Sequence, residues 1–143
     1  MADRDSETLH ASCVALCGRA LLISGASGSG KSGMALNLMA LGAGLVSDDR
    51  TILTRQGDGL VASAPEAIEG LIEARGLGLL HAEPTGPTPV FALLDLDTPE
   101  VHRLPPARNT SILGCEITLL LRSEIPHFAA SLMQFLRTGQ RTT

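Results

Sequence analysis

The sequence contains no tryptophan and no tyrosine, and only three phenylalanines. A core built from it must rely on Leu, Ile, Val, Ala and Met, and nucleic-acid recognition by stacking bases on exposed aromatics is excluded. Excess positive charge is also missing: 11 Lys and Arg stand against 15 Asp and Glu, for a net charge of −4 and a pI near 5.5. A binder of nucleic-acid phosphates or of anionic membranes needs the opposite balance. No apolar run approaches the roughly 20 residues of a membrane span. The acidic, polar start MADRDSET lacks the basic and apolar regions of a secretory signal. A cytoplasmic protein is expected, with neither nucleic acid nor membrane as partner. The three cysteines, Cys13, Cys17 and Cys115, form no C-x-x-C pair, which argues against a disulfide framework or a zinc motif. His10, Cys13 and Cys17 could be drawn as three metal ligands, but small buried hydrophobes are the simpler reading of both cysteines.

What the chain does have is enough apolar content to fold: 44% of its 143 residues are hydrophobic and its mean hydropathy is +0.22. That length suits one domain over 1–143 with a single core, the first eight residues lacking order. Its most informative stretch is Gly25-Ala26-Ser27-Gly28-Ser29-Gly30-Lys31-Ser32, which fits G-x-x-x-x-G-K-[ST] at every defined position. Arg19 to Ser24 before it reads as a buried strand and Gly33 to Leu41 after it as a helix with Met34, Leu38 and Leu41 facing the core. Strand, loop and helix in that order make a phosphate cradle, in which glycines let successive N–H groups converge on phosphate oxygens at a helix N-terminus. Lys31 would reach the β- and γ-phosphates and Ser32 the accompanying Mg²⁺. The loop predicts a nucleoside triphosphate; alone, it does not choose among the activities that share it.

The rest of the chain is expected to be mixed α/β. His10 to Ala15 and Arg19 to Ser24 predict a hairpin turning at Gly18, which returns His10 to the phosphate loop. Thr51 to Arg55 and Leu60 to Ala64 predict a second hairpin. Glycines inside Ile72 to His81 suggest a bulge or a close backbone approach. Val90 to Leu96 and Glu116 to Arg122 read as strands, 98–111 as irregular, and Pro126 to Arg137 as an amphipathic helix with Phe128, Leu132, Phe135 and Leu136 on its apolar side.

Phosphoryl transfer to a hydroxyl needs an acid for Mg²⁺ and a base for the acceptor. Three sets of residues compete for these roles. Asp95 and Asp97 end the apolar strand VFALLDLD, where Asp95 would be the metal acid of an ordinary ATPase and either residue could equally cap a turn. Asp48 and Asp49 lie 17 and 18 residues after Lys31, at the carboxyl end of a strand, where α/β sheets collect ligands; an acidic turn would explain the same pair. Glu73 and Arg75, two residues apart on one expected strand, share a face as a metal ligand beside a charge clamp or as a surface ion pair.

Taken together, His10, GASGSGKS, Val46-Ser47-Asp48-Asp49 and Glu73-Ala74-Arg75-Gly76-Leu77-Gly78-Leu79 resemble the catalytic domain of the HPr kinase/phosphorylase family over about His10 to Leu121. The last stretch looks like that family's E-x-R-G-x-G signature. The resemblance implies a P-loop NTPase-like mixed sheet with flanking helices, similar to the phosphoenolpyruvate carboxykinase core. It implies ATP and Mg²⁺ as cofactors, an HPr-like phosphocarrier of the phosphotransferase system as protein substrate, and a homo-oligomer. Carried over by position, it implies Asp49 as general base supported by Asp48, Glu73 completing the Mg²⁺ site with Ser32, His10 and Lys31 lining the phosphate pocket, and Arg103 as a catalytic arginine. Full-length relatives carry a further N-terminal domain, so a short, kinase-domain-only form is expected. A proline-arginine-glycine loop tied to phosphorolysis has no counterpart, so a kinase is expected rather than a phosphorylase. The alternative is a nucleotide-responsive binding module with little catalysis.

Overall fold

Short turns separate apolar runs along most of the chain, and the computed structural model, which describes residues 5–142, pairs those runs into one curled mixed sheet. In chain order the elements are β1 (Ser6–Leu9), β2 (Ala11–Leu16), β3 (Arg19–Ser24), α1 (Lys31–Ala40), β4 (Gly44–Ser47), β5 (Thr51–Gln56) and β6 (Gly59–Ser63). A short 3-10 turn at Glu66–Ile68 leads to β7 (Leu71–Ala74), β8 (Gly78–His81), β9 (Thr88–Pro99), β10 (Asn109–Ile112), β11 (Cys115–Arg122) and α2 (Phe128–Thr138). The main sheet runs β1-β5-β6-β9-β3-β2-β4, and β11 joins β9 and carries β10. Only Thr88 and Pro89 of β9 pair with β6; from Ala92 onward β11 takes its place. That change of partner curls the sheet.

Side-chain alternation then fills two cores, one on each face of the sheet, where a single core was expected. Along β3, Leu21 and Ile23 face the helices with Val14, Ala92 and Leu94, while Ala20 and Leu22 face the other way with Cys13, Leu53, Leu93 and Ile117. A strand buried on both faces reads as an unbroken apolar run, as RALLIS does. Aromatics contribute one tilted pair, Phe91 with Phe135 at 5.2 Å between ring centroids.

The two expected hairpins form, β2 with β3 and β5 with β6. Several other expectations change. The lead over 1–8 does not lack order where it is described: Ser6–Leu9 pairs with β5, its polar, exposed Ser6, Glu7 and Thr8 suiting the edge of the sheet. Residues 1–4 lie outside the described residues. Cys17 is exposed, not buried, since both central residues of its two-residue turn have positive φ (Cys17 54°, Gly18 74°) and the side chain projects outward. Leu41 is 49% exposed because α1 ends at Ala40 and the chain then turns through Gly42 at φ 117°. Ile72 to His81 contains no bulge but a hairpin, β7 paired with β8, folded at Arg75-Gly76-Leu77. The stretch 98–111 is not irregular at its ends: Thr98 and Pro99 continue β9, and Asn109 opens β10 (Asn109–Ile112), paired with β11.

Candidate active site

The site is built where β3 ends. Gly25 leaves the strand so closely packed that a Cβ would sit 3.0 Å from Ser29 Cβ and 3.2 Å from Leu96 Cβ, so any larger residue would force these neighbours to shift. The loop then folds on itself, Ser29 N–H donating to Ala26 O at 2.9 Å, and α1 begins at Lys31 with Gly30 in the left-handed region. Lys31 is the only lysine in the chain. Its ammonium is drawn back onto the loop, donating to the carbonyls of Gly25 at 3.0 Å and Ala26 at 3.3 Å, and the residue is 6% exposed.

Two strands away in the sheet, β4 ends at the same side and delivers the acids. Asp48 is buried and accepts three hydrogen bonds: from the hydroxyls of Ser12 (2.8 Å) and Ser32 (2.7 Å), and from Glu73 N–H (3.0 Å). It therefore joins β2, the start of α1 and β7. Asp49 follows in a tight turn at φ 68°, closed by Arg50 N–H to Asp48 O and by the Ser47 hydroxyl to Arg50 O. Strain at one non-glycine residue in this region costs on the order of 1–3 kcal/mol and persists where surroundings hold it. Here the Ser12 hydroxyl accepts from Asp49 N–H at 3.1 Å while donating to Asp48. The turn frees Asp49 from strand alternation, and its Oδ1 lies 2.7 Å from His10 Nε2, with both side chains about half exposed (55% and 54%). The hairpin does return His10 to this point, as Ala11 pairs with Ser24.

Two adjoining cavities open here, of about 350 and 510 Å³. Gly28, Gly30 and Lys31 line the first and His10, Asp48 and Arg50 the second; Ser27, Ser32, Asp49 and Glu73 line both. Gly25, Ala26 and Ser29 line neither. Among the described residues no three His, Cys, Asp or Glu side chains cluster to hold a metal unaided. Magnesium does not require that: it commonly takes one or two carboxylates together with substrate phosphates and waters. The Ser32 hydroxyl with the carboxylates of Asp48 and Glu73 is a donor set of the right hardness, and Ser32 Oγ already lies 2.7 Å from Asp48.

Other candidates fall elsewhere. Asp95 is occupied locally, accepting from Asp97 N–H and from the Thr98 hydroxyl, each at 2.8 Å; the acid on Ser32 is Asp48. Arg75 does not share a strand face with Glu73, because it lies in the β7–β8 turn, yet it lines the smaller cavity. Arg103 is not brought to the loop. After β9 the chain folds back over β11, with Glu100 N–H on Arg122 O at 2.7 Å and Leu119 N–H on Arg108 O at 2.9 Å. The Glu100–Arg108 ion pair closes this segment, and Arg103 lines a separate cavity of about 390 Å³ under α2. Burial in that clamp works against the charged form of Glu100, but bonds from the Arg108 guanidinium and from the N–H and ring of His102 prevail and lower its pKa to about 2. Cys13, wholly buried, has its thiol pushed well above the usual range. Sequence reasoning missed Ser12, whose signal was a lone hydroxyl in a strand buried on both faces.

A phosphate loop between strand and helix, faced by acids from a strand two places along the sheet, defines a P-loop NTPase-like kinase domain. The chain belongs to the HPr Serine kinase C-terminal domain family, whose model matches residues 3–85, more than half of it. It is 45% identical over 76 residues to the HPr kinase/phosphorylase of Chlorobium limicola and 43% identical over 74 to that of Bordetella pertussis. Those alignments take in 52% and 51% of this chain but 23% and 24% of the relatives, so the matched part spans about a quarter of their length. The structure of the Hpr(Ser) kinase/phosphatase from Coxiella burnetii superposes with a TM-score of 0.79 at 26% identity, over 93% of this chain and 95% of that one.

Proposed function

We propose that this chain is an ATP-dependent protein serine kinase whose substrate is HPr or an HPr-like phosphocarrier. The observation that carries the reading is Asp49: a half-exposed carboxylate, turned out of its strand by a left-handed backbone and lining both cavities beside the phosphate loop. The names of the relatives support the choice of acceptor. The N–H groups of the loop and Lys31 bind the triphosphate, Lys31 leaving its resting carbonyls to do so. Ser32 and Glu73 would hold Mg²⁺, which when bound screens the phosphate charge. Asp48 anchors Ser32 and the β7 backbone. Asp49 takes the proton of the substrate serine as its oxygen attacks the γ-phosphorus; the bond to the β–γ bridging oxygen breaks, and ADP leaves with that electron pair. His10 orients Asp49 from 2.7 Å.

A phosphocarrier substrate supports a cytoplasmic setting for the reaction. No described helix is long and apolar enough to cross a membrane. Family resemblance supports self-association, which sedimentation would read. The decisive experiment incubates the chain with MgATP and HPr and locates phosphate by mass spectrometry. One phosphate on a serine is expected, and Asp49→Asn is expected to slow transfer by about 100-fold or more while nucleotide affinity changes little. ATP binding without any transfer would sink the kinase reading, and comparable turnover in Asp49→Asn would remove Asp49 as base.

A further inference from the structure

The carboxylate of Asp97 reaches back from the end of β9 and accepts the N–H of Ala26 on both oxygens, at 3.1 and 3.0 Å. The motif reading gives Asp97 no such task, and the acid–metal chemistry does not use it. We propose that Asp97 is a positioning residue that braces the outer limb of the phosphate loop, so that the N–H groups facing the cavity are arranged for phosphate before nucleotide arrives.

Placement excludes the simpler alternative, a carboxylate occupying the phosphate position. Neither Asp97 nor Ala26 lines the cavities, whereas Ser27, Gly28, Gly30 and Lys31 do; Asp97 meets the loop outside that lining. Asp97 is itself held: its N–H donates to Asp95 Oδ1 at 2.8 Å, the Thr98 hydroxyl bonds the other Asp95 oxygen at 2.8 Å, and Arg122 Nη1 fixes the preceding carbonyl, Leu96 O, at 2.6 Å. The loop needs such a contact. Three glycines give it wide conformational freedom, and ordering it on binding would weaken affinity. Apart from its helical end, where Met34 N–H bonds Gly30 O and the Ser32 hydroxyl bonds Asp48, its other ties are the internal bond from Ser29 N–H to Ala26 O and the two from Lys31 to loop carbonyls. When Lys31 turns to phosphate those two are lost, and the tie to Asp97 remains.

The inference rests on reading residues 25–32 as a nucleotide-phosphate cradle. Calorimetric titration of the full chain with MgATP is expected to give an affinity about tenfold weaker for Asp97→Ala than for the wild type, the scale of one charge-assisted hydrogen bond. Saturating nucleotide should restore kcat to within about twofold, since the brace acts before chemistry. Asp97→Asn keeps one acceptor oxygen and should stay within about threefold of wild type. Unchanged or tighter binding by Asp97→Ala, or Asp97→Asn falling as far as Asp97→Ala, overturns the proposal. Should the alanine variant not fold, amide exchange in the nucleotide-free wild type decides: Ala26 N–H is expected to exchange at least about tenfold more slowly than those of Ser27 and Gly28, and equal rates overturn the brace. A wild type that binds no nucleotide would defeat the kinase reading, while the exchange rates would still judge Asp97.

Discussion

Residues 5–85 and 86–142 contribute to the same sheet in different ways. The first part holds the phosphate loop, Asp48, Asp49, His10 and Glu73, and it is the part that the family model matches, over 3–85. The second supplies β9, β11 and α2, closes the helix-side core through Leu132, Met133 and Leu136, and keeps its own polar clamp, Glu100 with Arg108, away from the loop. The Coxiella structure nevertheless follows 93% of the chain. Sequence similarity and structural similarity therefore differ in reach: apolar volume at the right register can be supplied by many sequences, and the second part is built chiefly of such packing. Asp97 is the exception, an acid of the second part that touches the loop.

The largest expected effect separates the two parts by activity. Asp48→Ala removes the acceptor shared by Ser12, Ser32 and the β7 backbone, leaving buried donors without partners at about 1–3 kcal/mol each. Transfer to HPr should fall by about 100-fold or more, with a measurable loss in urea midpoint. Nearly normal transfer would mean that the site does not depend on this junction, and the contrast between the two parts would lose its basis.

How far each part was legible follows the same division. The loop, both hairpins and the Asp48-Asp49 pair were readable because each is a local pattern: a motif, a turn between alternating runs, a strand ending in acids. What was not readable depends on partners distant in sequence. Ser12 matters through residues 36 and 37 positions away, and Asp97 through one 71 away. Arg103 was expected at the loop because a short His-Arg-Leu stretch fitted by position; pairing of β11 with β9, and the clamp that follows, carry it elsewhere. The β7–β8 hairpin was hidden because Gly76 and Gly78 suit a bulge as well as a turn, and only antiparallel pairing distinguishes them.

A middle-sized effect should show in stability and not in chemistry. Leu136 in α2 is fully buried, and Leu136→Ala should lower unfolding free energy by about 3 kcal/mol, from lost burial and the cavity left behind. Measured below its melting transition, the folded variant should bind MgATP within about twofold of wild type. A tenfold loss of affinity would show that α2 shapes the loop and that the second part is more than scaffold.

The smallest effect concerns the clamp itself and its dependence on pH. Glu100 titrates at about 2 in the folded chain against an ordinary 4.5, so the folded state favours its charged form. A lowered carboxyl pKa contributes stability that is fully present above the unfolded value and disappears as pH falls through the folded one. Urea midpoints of wild type and Glu100→Gln should therefore differ above about pH 4.5, converge as the pH is lowered toward 2, and meet below it. At neutral pH the variant should transfer phosphate normally, because the clamp sits under α2 and not at the loop. A midpoint difference that stays constant with pH would assign the effect of the substitution to packing instead of charge. A fall in transfer would connect the clamp to the loop and bring Arg103, its neighbour in the same cavity, back into consideration.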